Sequence, residues 1–176
     1  MKSTTVICLD LEGVLVPEIW IAVAERTGIA ELRLTTRDIA DYDVLMKKRL
    51  DLLAVHGLTL TKIQEVVATL SPLPGAKEFL ETLRSQFQVV ILSDTFYELA
   101  NPLMKQLNWP ALFCHRLDIN EKDEIVGYQL RQVDQKRKSV EAFRQLNFKT
   151  IASGDSFNDI SMLSSADAGI FFCPPD

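Results

Sequence analysis

Two carboxylates end an apolar run near the start of the chain, and their spacing suits a bound cation. The run Val6-Ile7-Cys8-Leu9 leads into Asp10, and Glu12 and Gly13 follow closely. Side chains two residues apart in an extended backbone point to the same side, so both carboxylates would lie together. Two like charges at one spot are unfavourable unless a cation joins them. The alternative is a strand that ends in solvated acids, and other polar groups at the same edge would decide between the two.

Two later apolar runs also end in polar residues. The run 89–92 leads into Ser93-Asp94-Thr95, and the run 150–152 leads into Ser153-Gly154-Asp155-Ser156-Phe157-Asn158-Asp159. Because the carboxyl ends of parallel strands meet at one edge of a sheet, three such termini would bring their polar residues together. The sequence therefore predicts a functional site at that edge.

The acidic residues at this edge suit a hard metal ion. Asp10, Asp155 and Asp159 offer carboxylate oxygens, no His lies near them in the sequence, and the nearby Cys8 belongs to the apolar run. Oxygen ligands of this kind favour Mg²⁺ over Zn²⁺.

The same edge suits phosphoryl chemistry. Ser93 and the amides after it could bind phosphate oxygens at a helix start, although Ser93 also fits the N-cap of that helix. A carboxylate can attack phosphorus, and a second one can protonate the leaving oxygen and then deprotonate water. Asp10 as nucleophile and Glu12 as acid/base fill these roles. Lys136 would add a positive charge at a helix start, unless the basic segment 136–138 is simply solvated.

The elements that position these residues follow from periodicity and from helix-end signals. An all-helical stretch is predicted over 17–72, with ends marked by Gly28, Asp41 and Gly57 and a capping-box pattern at Thr61 and Gln64. From 73 onward, helices and strands alternate, which predicts an α/β fold with a doubly wound, mostly parallel sheet. We expect a core formed by 1–16 and 73–176 and an inserted helical cap formed by 17–72. The expected later strands are 88–92, 112–117, 125–130, 150–152 and 169–173, and the expected later helices are 76–86, 97–107, 138–146 and 159–164.

Composition limits the class of protein. The chain has 176 residues, 19 Lys and Arg against 24 Asp and Glu, and a net charge of −5 without a basic stripe, which argues against nucleic-acid binding. Neither a leader nor a membrane-spanning stretch is recognisable, so we expect a cytoplasmic protein without membrane contact. Cys8, Cys114 and Cys173 lie in apolar runs and are expected to be reduced core thiols. His115 is expected to be a strand residue without a catalytic role, and Trp20 a packing residue.

Four motifs together carry a family resemblance. The segments Asp10-Leu11-Glu12-Gly13, Ser93-Asp94, Lys136 and Gly154-Asp155-Ser156-Phe157-Asn158-Asp159 resemble the ordered motifs of the haloacid dehalogenase superfamily. Within that superfamily the chain is similar to the phosphoserine phosphatases, which carry a helical cap between the first two motifs. The stretches DLEGVLVPEIW, TTRDI, DYDVLMK, FQVVILSDTFYE and GYQLRQ are similar to a bifunctional group that also transfers the phosphoryl group to homoserine.

This resemblance implies a set of ligands for the metal and the phosphate. It implies Mg²⁺ held by the Asp10 side chain, the Glu12 backbone carbonyl and Asp155, with Asp159 in support. It also implies phosphate contacts from Ser93 and Lys136. Asp94, Thr95 and Asn158, at the same strand ends, complete the predicted substrate-binding positions in the core.

Similarity in the cap implies contacts to the rest of the substrate. Glu18 and Arg49 would bind the amino and carboxylate groups of phosphoserine, with Arg131 as a further candidate. Without the resemblance, Glu18 and Arg49 would be interpreted as ordinary surface charges on helices.

The expected activity is Mg²⁺-dependent hydrolysis of phosphoserine through a phospho-Asp10 intermediate, with homoserine as an additional phosphoryl acceptor. The alternatives are a phosphatase for another small phosphomonoester and a catalytically silent phosphate-binding module. Two features depart from the family pattern. Glu12 stands where most members of the superfamily have Asp, and the chain ends at Asp176, where relatives continue with further secondary structure. The oligomeric state is not predicted.

Overall fold

A six-stranded sheet forms the centre of the molecule in the computed structural model, which describes residues 4–173. Its strands are β1 (Thr5–Leu9), β2 (Gln88–Phe96), β3 (Ala111–Ile119), β4 (Ile125–Gln129), β5 (Lys149–Gly154) and β6 (Ala168–Phe171). The spatial order is β4-β3-β2-β1-β5-β6. The β3–β4 pair is antiparallel and the other neighbouring pairs are parallel. The predicted α/β class with a mostly parallel, doubly wound sheet is confirmed.

The helices begin and end largely where the sequence signals place them. They are α1 (Ile19–Thr27), α2 (Tyr42–His56), α3 (Leu60–Ala68), α4 (Ala76–Gln86), α5 (Tyr97–Gln106), α6 (Gln135–Gln145) and α7 (Ile160–Ser165), with 3₁₀ turns at Ala30–Arg33 and Phe157–Asp159. Asp41 caps α2 by accepting the N–H groups of Asp43 and Val44, and Gly57 ends that helix at φ 58°. These ends depend on local backbone chemistry, which explains why a sequence pattern finds them.

Three local predictions are wrong. The helix α3 is capped by Thr59, which accepts the Lys62 N–H, whereas the Gln64 side chain donates to the carbonyl of Glu98. The strand β2 continues to Phe96, so Ser93 lies in a strand and does not cap α5. Cys173 is exposed, in contrast to the buried thiols in the core.

The central strand β1 is buried along its whole length, which accounts for its continuous apolar sequence. Ile7 and Leu9 belong to the apolar cluster that includes residues of α1 to α5, whereas Val6 and Cys8 belong to the cluster that includes residues of α6 and α7. β1 lies between β2 and β5, where the strand order reverses direction. In sheets of this kind, ligands bind beyond the carboxyl ends of the strands at that reversal.

The stretch between β1 and α4 is helical, as predicted, with α1, α2 and α3 in it. It contacts the sheet through the Tyr42 hydroxyl, which donates to the Asp94 carbonyl at 3.0 Å. It also contacts the turn between β3 and β4 through the Leu60 N–H, which donates to the Asp123 carbonyl at 2.9 Å. The division into a core (1–16 and 73–176) and a cap (17–72) stays a prediction, and its residues 1–3 and 174–176 lie outside the described residues. Within 4–173, none of the helices combines the length and apolarity that crossing a membrane would require.

Candidate active site

A cavity lies beyond the carboxyl ends of β1, β2 and β5, between the sheet and the inserted helices. Most of the predicted site residues meet there although they come from distant parts of the chain. The predicted residues that line it are Asp10, Glu12, Glu18, Arg49, Ser93, Asp94, Thr95, Lys136, Asp155 and Asn158.

A buried ion pair occupies the floor of the cavity. Lys136 Nζ lies 3.0 Å from Asp10 Oδ1 and 2.8 Å from Asp159 Oδ1, and only 3% of the Lys136 side chain is exposed. Burial alone would lower the pKa of Lys136, but the carboxylates of Asp10, Asp94 and Asp159 raise it well above its usual value. Burial raises the pKa of Asp10, whereas Lys136 acts in the opposite direction. Lys136 is therefore a charged interior group, and its interpretation as a solvated surface lysine is wrong.

Three carboxylates form a cluster beside this pair. One oxygen each of Asp10, Asp155 and Asp159 lies within 4.8 Å of the others. Asp159 Oδ2 accepts the N–H groups of Asp155 and Ser156 at 3.1 Å, so both Asp159 oxygens have partners. Burial and the neighbouring Asp159 raise the pKa of Asp155. Carboxylates this close together oppose one another's ionisation, and a hard divalent cation would offset their negative charge. Because both Asp159 oxygens already have partners, Asp159 fits a supporting position better than direct coordination of the metal.

Glu12 is held at the start of α1. Its Oε1 accepts the Ile19 N–H at 2.7 Å, at the positive end of that helix. Burial and the nearby Glu18 nevertheless raise the pKa of Glu12 to about 7. A carboxyl group with this pKa can both give and take a proton near neutral pH.

An irregular segment of β2 presents Ser93, Asp94 and Thr95 to the cavity. The register with β3 shifts between Leu92 and Phe96, and bulges of this kind re-aim side chains beside active sites. Ser93 Oγ accepts the Thr95 N–H at 3.3 Å. The segment lies inside a strand, so the predicted phosphate site at a helix start is wrong in its local geometry.

Asp94 remains ionised in this segment. Burial opposes its ionisation, but Lys136, His115 and Asn158 outweigh burial and lower the pKa of Asp94 to about 2. His115 Nε2 lies 3.5 Å from Asp94 Oδ1, and Lys136 Nζ lies 3.8 Å from Asp94 Oδ2. His115 lies in a strand, as predicted, and its buried ring contacts a residue that lines the cavity.

Arg49 is a buried cation at the wall of the cavity. Its guanidinium lies 4.6 Å from the centre of the Trp20 ring, and Nη2 donates to the Leu34 carbonyl at 2.9 Å. Burial lowers the pKa of Arg49 to about 10, against the opposing effect of Glu12, Tyr42 and Glu18. Its buried Nε has no hydrogen-bond partner among the described residues. A buried donor without a partner at the wall of a cavity can donate a hydrogen bond to an acceptor atom of a ligand.

Arg131 does not reach the cavity. Its guanidinium lies 4.3 Å from the centre of the Phe113 ring, and Nη1 donates to the Tyr97 hydroxyl. It lines a separate surface depression with Tyr97 and Cys114. The prediction of Arg131 as a substrate-binding residue finds no support in this placement.

The loop before α2 and the first residue of that helix supply site residues that the prediction missed. Thr35, Thr36, Arg37 and Tyr42 also line the cavity, and Arg37 Nη2 lies 3.8 Å from Asp155 Oδ2. Their only signal in the sequence was the family resemblance of the stretches TTRDI and DYDVLMK, since composition and periodicity mark this segment as an ordinary loop.

A doubly wound sheet with a carboxylate cluster and a buried lysine at its reversal point has the architecture of a haloacid dehalogenase-like hydrolase, and the family of that description matches residues 4–167. Phosphoserine phosphatase ThrH of Pseudomonas aeruginosa is 65% identical to this chain, over 96% of this chain and 82% of its own length. A phosphoserine phosphatase of Pseudomonas syringae pv. tomato is 64% identical over 99% of this chain and 73% of its own length. The structure of a phosphoserine phosphatase from T. onnurineus, solved in complex with NDSB-201, is 27% identical and covers 96% of this chain and 84% of its own, with a TM-score of 0.78. The chain belongs to the phosphoserine phosphatases of the haloacid dehalogenase-like hydrolase family.

Proposed function

We propose that this chain hydrolyses phosphoserine in a reaction that needs Mg²⁺ and passes through a phosphoryl group on Asp10. The observation that carries the proposal is the buried Asp10 carboxylate, 3.0 Å from a charged lysine and clustered with Asp155 and Asp159. An aspartyl phosphate divides one difficult displacement into two easier ones.

The proton transfers are assigned to Glu12. As an Asp10 oxygen bonds to phosphorus, the bond from phosphorus to the serine oxygen breaks and Glu12 protonates that oxygen. Water then attacks the same phosphorus, Glu12 takes the proton of the water, and the Asp10 carboxylate is released with inorganic phosphate. A pKa near 7 suits a group that must be protonated in the first step and ionised in the second.

The phosphate end of the substrate is assigned to Ser93 and Lys136, with Thr95 and Asn158 beside them. All four line the cavity, and the Lys136 ammonium is fixed among carboxylates before any phosphate arrives. A preformed positive charge in a buried site stabilises phosphoryl oxygens without a cost of reorganisation.

The amino-acid end is assigned to Glu18 and Arg49. The unpaired Arg49 Nε offers a donor to the substrate carboxylate, and Glu18, whose pKa is raised by burial, offers an acceptor to the ammonium group. An alkyl or aryl phosphate lacks the ammonium and carboxylate groups of phosphoserine, so Glu18 and Arg49 would stay unpaired. This difference is the basis for selecting phosphoserine.

The metal is assigned to the Asp10 side chain, the Glu12 backbone carbonyl and Asp155, with Asp159 in support. When bound, Mg²⁺ would polarise a phosphoryl oxygen and offset the negative charge of the cluster. We also assign the reaction to the cytoplasm, because Cys8 and Cys114 are free thiols in the core.

The test is an Asp10→Asn variant with Asp118→Asn as the matched surface control. The amide introduced by Asp10→Asn neither attacks phosphorus well nor brings charge to a metal, so phosphate release from phosphoserine should fall to background. A hydroxylamine-sensitive acyl phosphate should form in the wild type and in the control and be absent from Asp10→Asn. Normal turnover by Asp10→Asn would refute the assignment of Asp10 as the nucleophile. Phosphate release from other small phosphomonoesters but not from phosphoserine would refute the substrate, and no release from any of them would favour a phosphate-binding module.

We propose homoserine as a second acceptor because of Glu12. Its side chain is one methylene longer than that of Asp and its Oε1 accepts the Ile19 N–H at 2.7 Å, so we infer that its carboxyl group is displaced from the position of an aspartate carboxyl. A displacement near 1 Å can slow attack by a positioned water about a hundredfold. A longer-lived phospho-Asp10 would give an alcohol time to replace water, and homoserine offers the same ammonium and carboxylate groups to Glu18 and Arg49.

A further inference from the structure

We propose that His115 is a positioning residue that holds the Asp94 carboxylate in place and so keeps Lys136 available for the phosphate of the substrate. The inference rests on the proposed function, because it concerns the phosphate end of the same cavity. It assigns a role to a strand residue that lies outside the four sequence motifs.

The hydrogen bonds around His115 define its tautomer. His115 Nδ1 accepts the backbone N–H of Arg131 at 3.1 Å, so this nitrogen carries no hydrogen. In a neutral imidazole the other nitrogen then carries it. Nε2, at 3.5 Å from Asp94 Oδ1, therefore points an N–H at the carboxylate. This contact is long for a hydrogen bond, and catalytic contacts of this kind tighten when substrate binds. Arg131 thus contributes through its backbone, although its side chain lies elsewhere.

The surroundings of His115 keep the ring in this orientation. The residue is 3% exposed, and its ring centre lies 6.2 Å from those of Tyr42 and Phe96. The Tyr42 hydroxyl in turn donates to the Asp94 carbonyl at 3.0 Å. One aromatic cluster therefore holds both the backbone and the carboxylate of Asp94.

The charge of Asp94 explains why its position matters. It is an ionised carboxylate that lines a cavity for a phosphate dianion, and its Oδ2 lies 3.8 Å from Lys136 Nζ. With His115 in place, Oδ1 has a donor and the carboxylate stays at this distance. Without that donor, Asn158 and Lys136 are the remaining partners of the carboxylate, which can then move towards the Lys136 ammonium and compete with the phosphate for it. Loss of a hydrogen bond to a charged group corresponds to a change of about tenfold or more in an equilibrium constant.

The experiment compares three substitutions on β3. His115→Phe keeps an aromatic ring and removes both nitrogens, whereas His115→Gln keeps an N–H donor near the position of Nε2. Leu117→Val, on the same face of the same strand, is the control for a change in packing on that face. Binding of inorganic phosphate is measured by calorimetry in the presence of Mg²⁺, and KM and kcat are measured with phosphoserine.

We expect His115→Phe to weaken phosphate binding and raise KM about tenfold, with kcat changed much less. His115→Gln should recover most of the loss, and Leu117→Val should bind phosphate as the wild type does. In an Asp94→Asn background the same His115→Phe change should have little further effect, because there is no charge left to restrain. An undiminished effect in that background, or a loss of kcat and melting temperature with unchanged phosphate binding, would overturn the proposal. Phosphate binding needs no turnover, so failure of the wild type to hydrolyse phosphoserine would refute the proposed function while the calorimetry still decided the role of His115.

Discussion

Substitution of Gly13 by alanine tests whether the proposed metal site needs the space that this glycine leaves for Asp155. Gly13 has φ +78°, and a Cβ built there would lie 2.3 Å from Asp155 Oδ2 and 2.5 Å from its Cγ. Ordinary contacts of this kind are about 3.5 Å, so the Asp155 carboxylate would have to retreat by roughly 1 Å. Displacement of a catalytic group on that scale costs about a hundredfold in rate. We therefore expect Gly13→Ala to release phosphate from phosphoserine about a hundredfold more slowly and to need more Mg²⁺.

The chain contains a matched control for this change. Gly28 has φ +74°, and a Cβ there would meet nothing within 4 Å. A left-handed alanine costs about 1–2 kcal/mol at either position, which lowers the melting temperature by roughly 2–8 °C in a chain of this size. Gly28→Ala should show that loss of stability with normal activity. The assay is phosphate release across a Mg²⁺ titration, with thermal melts of both variants. Equal activities of the two variants would refute the argument that Gly13 makes room for Asp155.

Three further predictions concern the cavity. Arg49→Ala should raise KM for phosphoserine by the equivalent of about 2–5 kcal/mol and spare an aryl phosphate, because only phosphoserine offers a carboxylate; equal losses on both substrates would show that Arg49 serves structure. Glu12→Asp should increase the ratio of free phosphate to phosphohomoserine when homoserine is present, and an unchanged or lower ratio would contradict the role of Glu12 in admitting an alcohol. The pKa of Glu12 near 7 predicts that phospho-Asp10 forms faster as the pH falls through that value, since Glu12 must then donate a proton, and is hydrolysed faster as the pH rises. Rapid-quench measurement of the phosphoenzyme should therefore find more of it at about pH 6 than at about pH 8, and the opposite trend would contradict the assignment.

The sequence alone determined those features that depend on neighbouring residues. The buried strand β1 is an unbroken apolar run, and the ends of α1 and α2 are marked by Gly28, Asp41 and Gly57. These signals are legible because backbone conformation and capping are decided within a few residues. Parallel strands then meet at one edge by topology, so Asp10, Ser93 and Asp155 could be predicted to meet without any knowledge of side-chain packing.

Only the tertiary structure decided which charged side chains are interior and which way they point. Lys136 and Arg131 both lie near predicted element ends, yet Lys136 is buried among carboxylates and Arg131 lies over Phe113 outside the cavity. Arg37 reaches Asp155 from a loop far earlier in the chain, and His115 contacts Asp94 across two neighbouring strands. These contacts depend on how whole elements pack against each other, because the direction of a side chain relative to a distant partner is not encoded by the residues beside it.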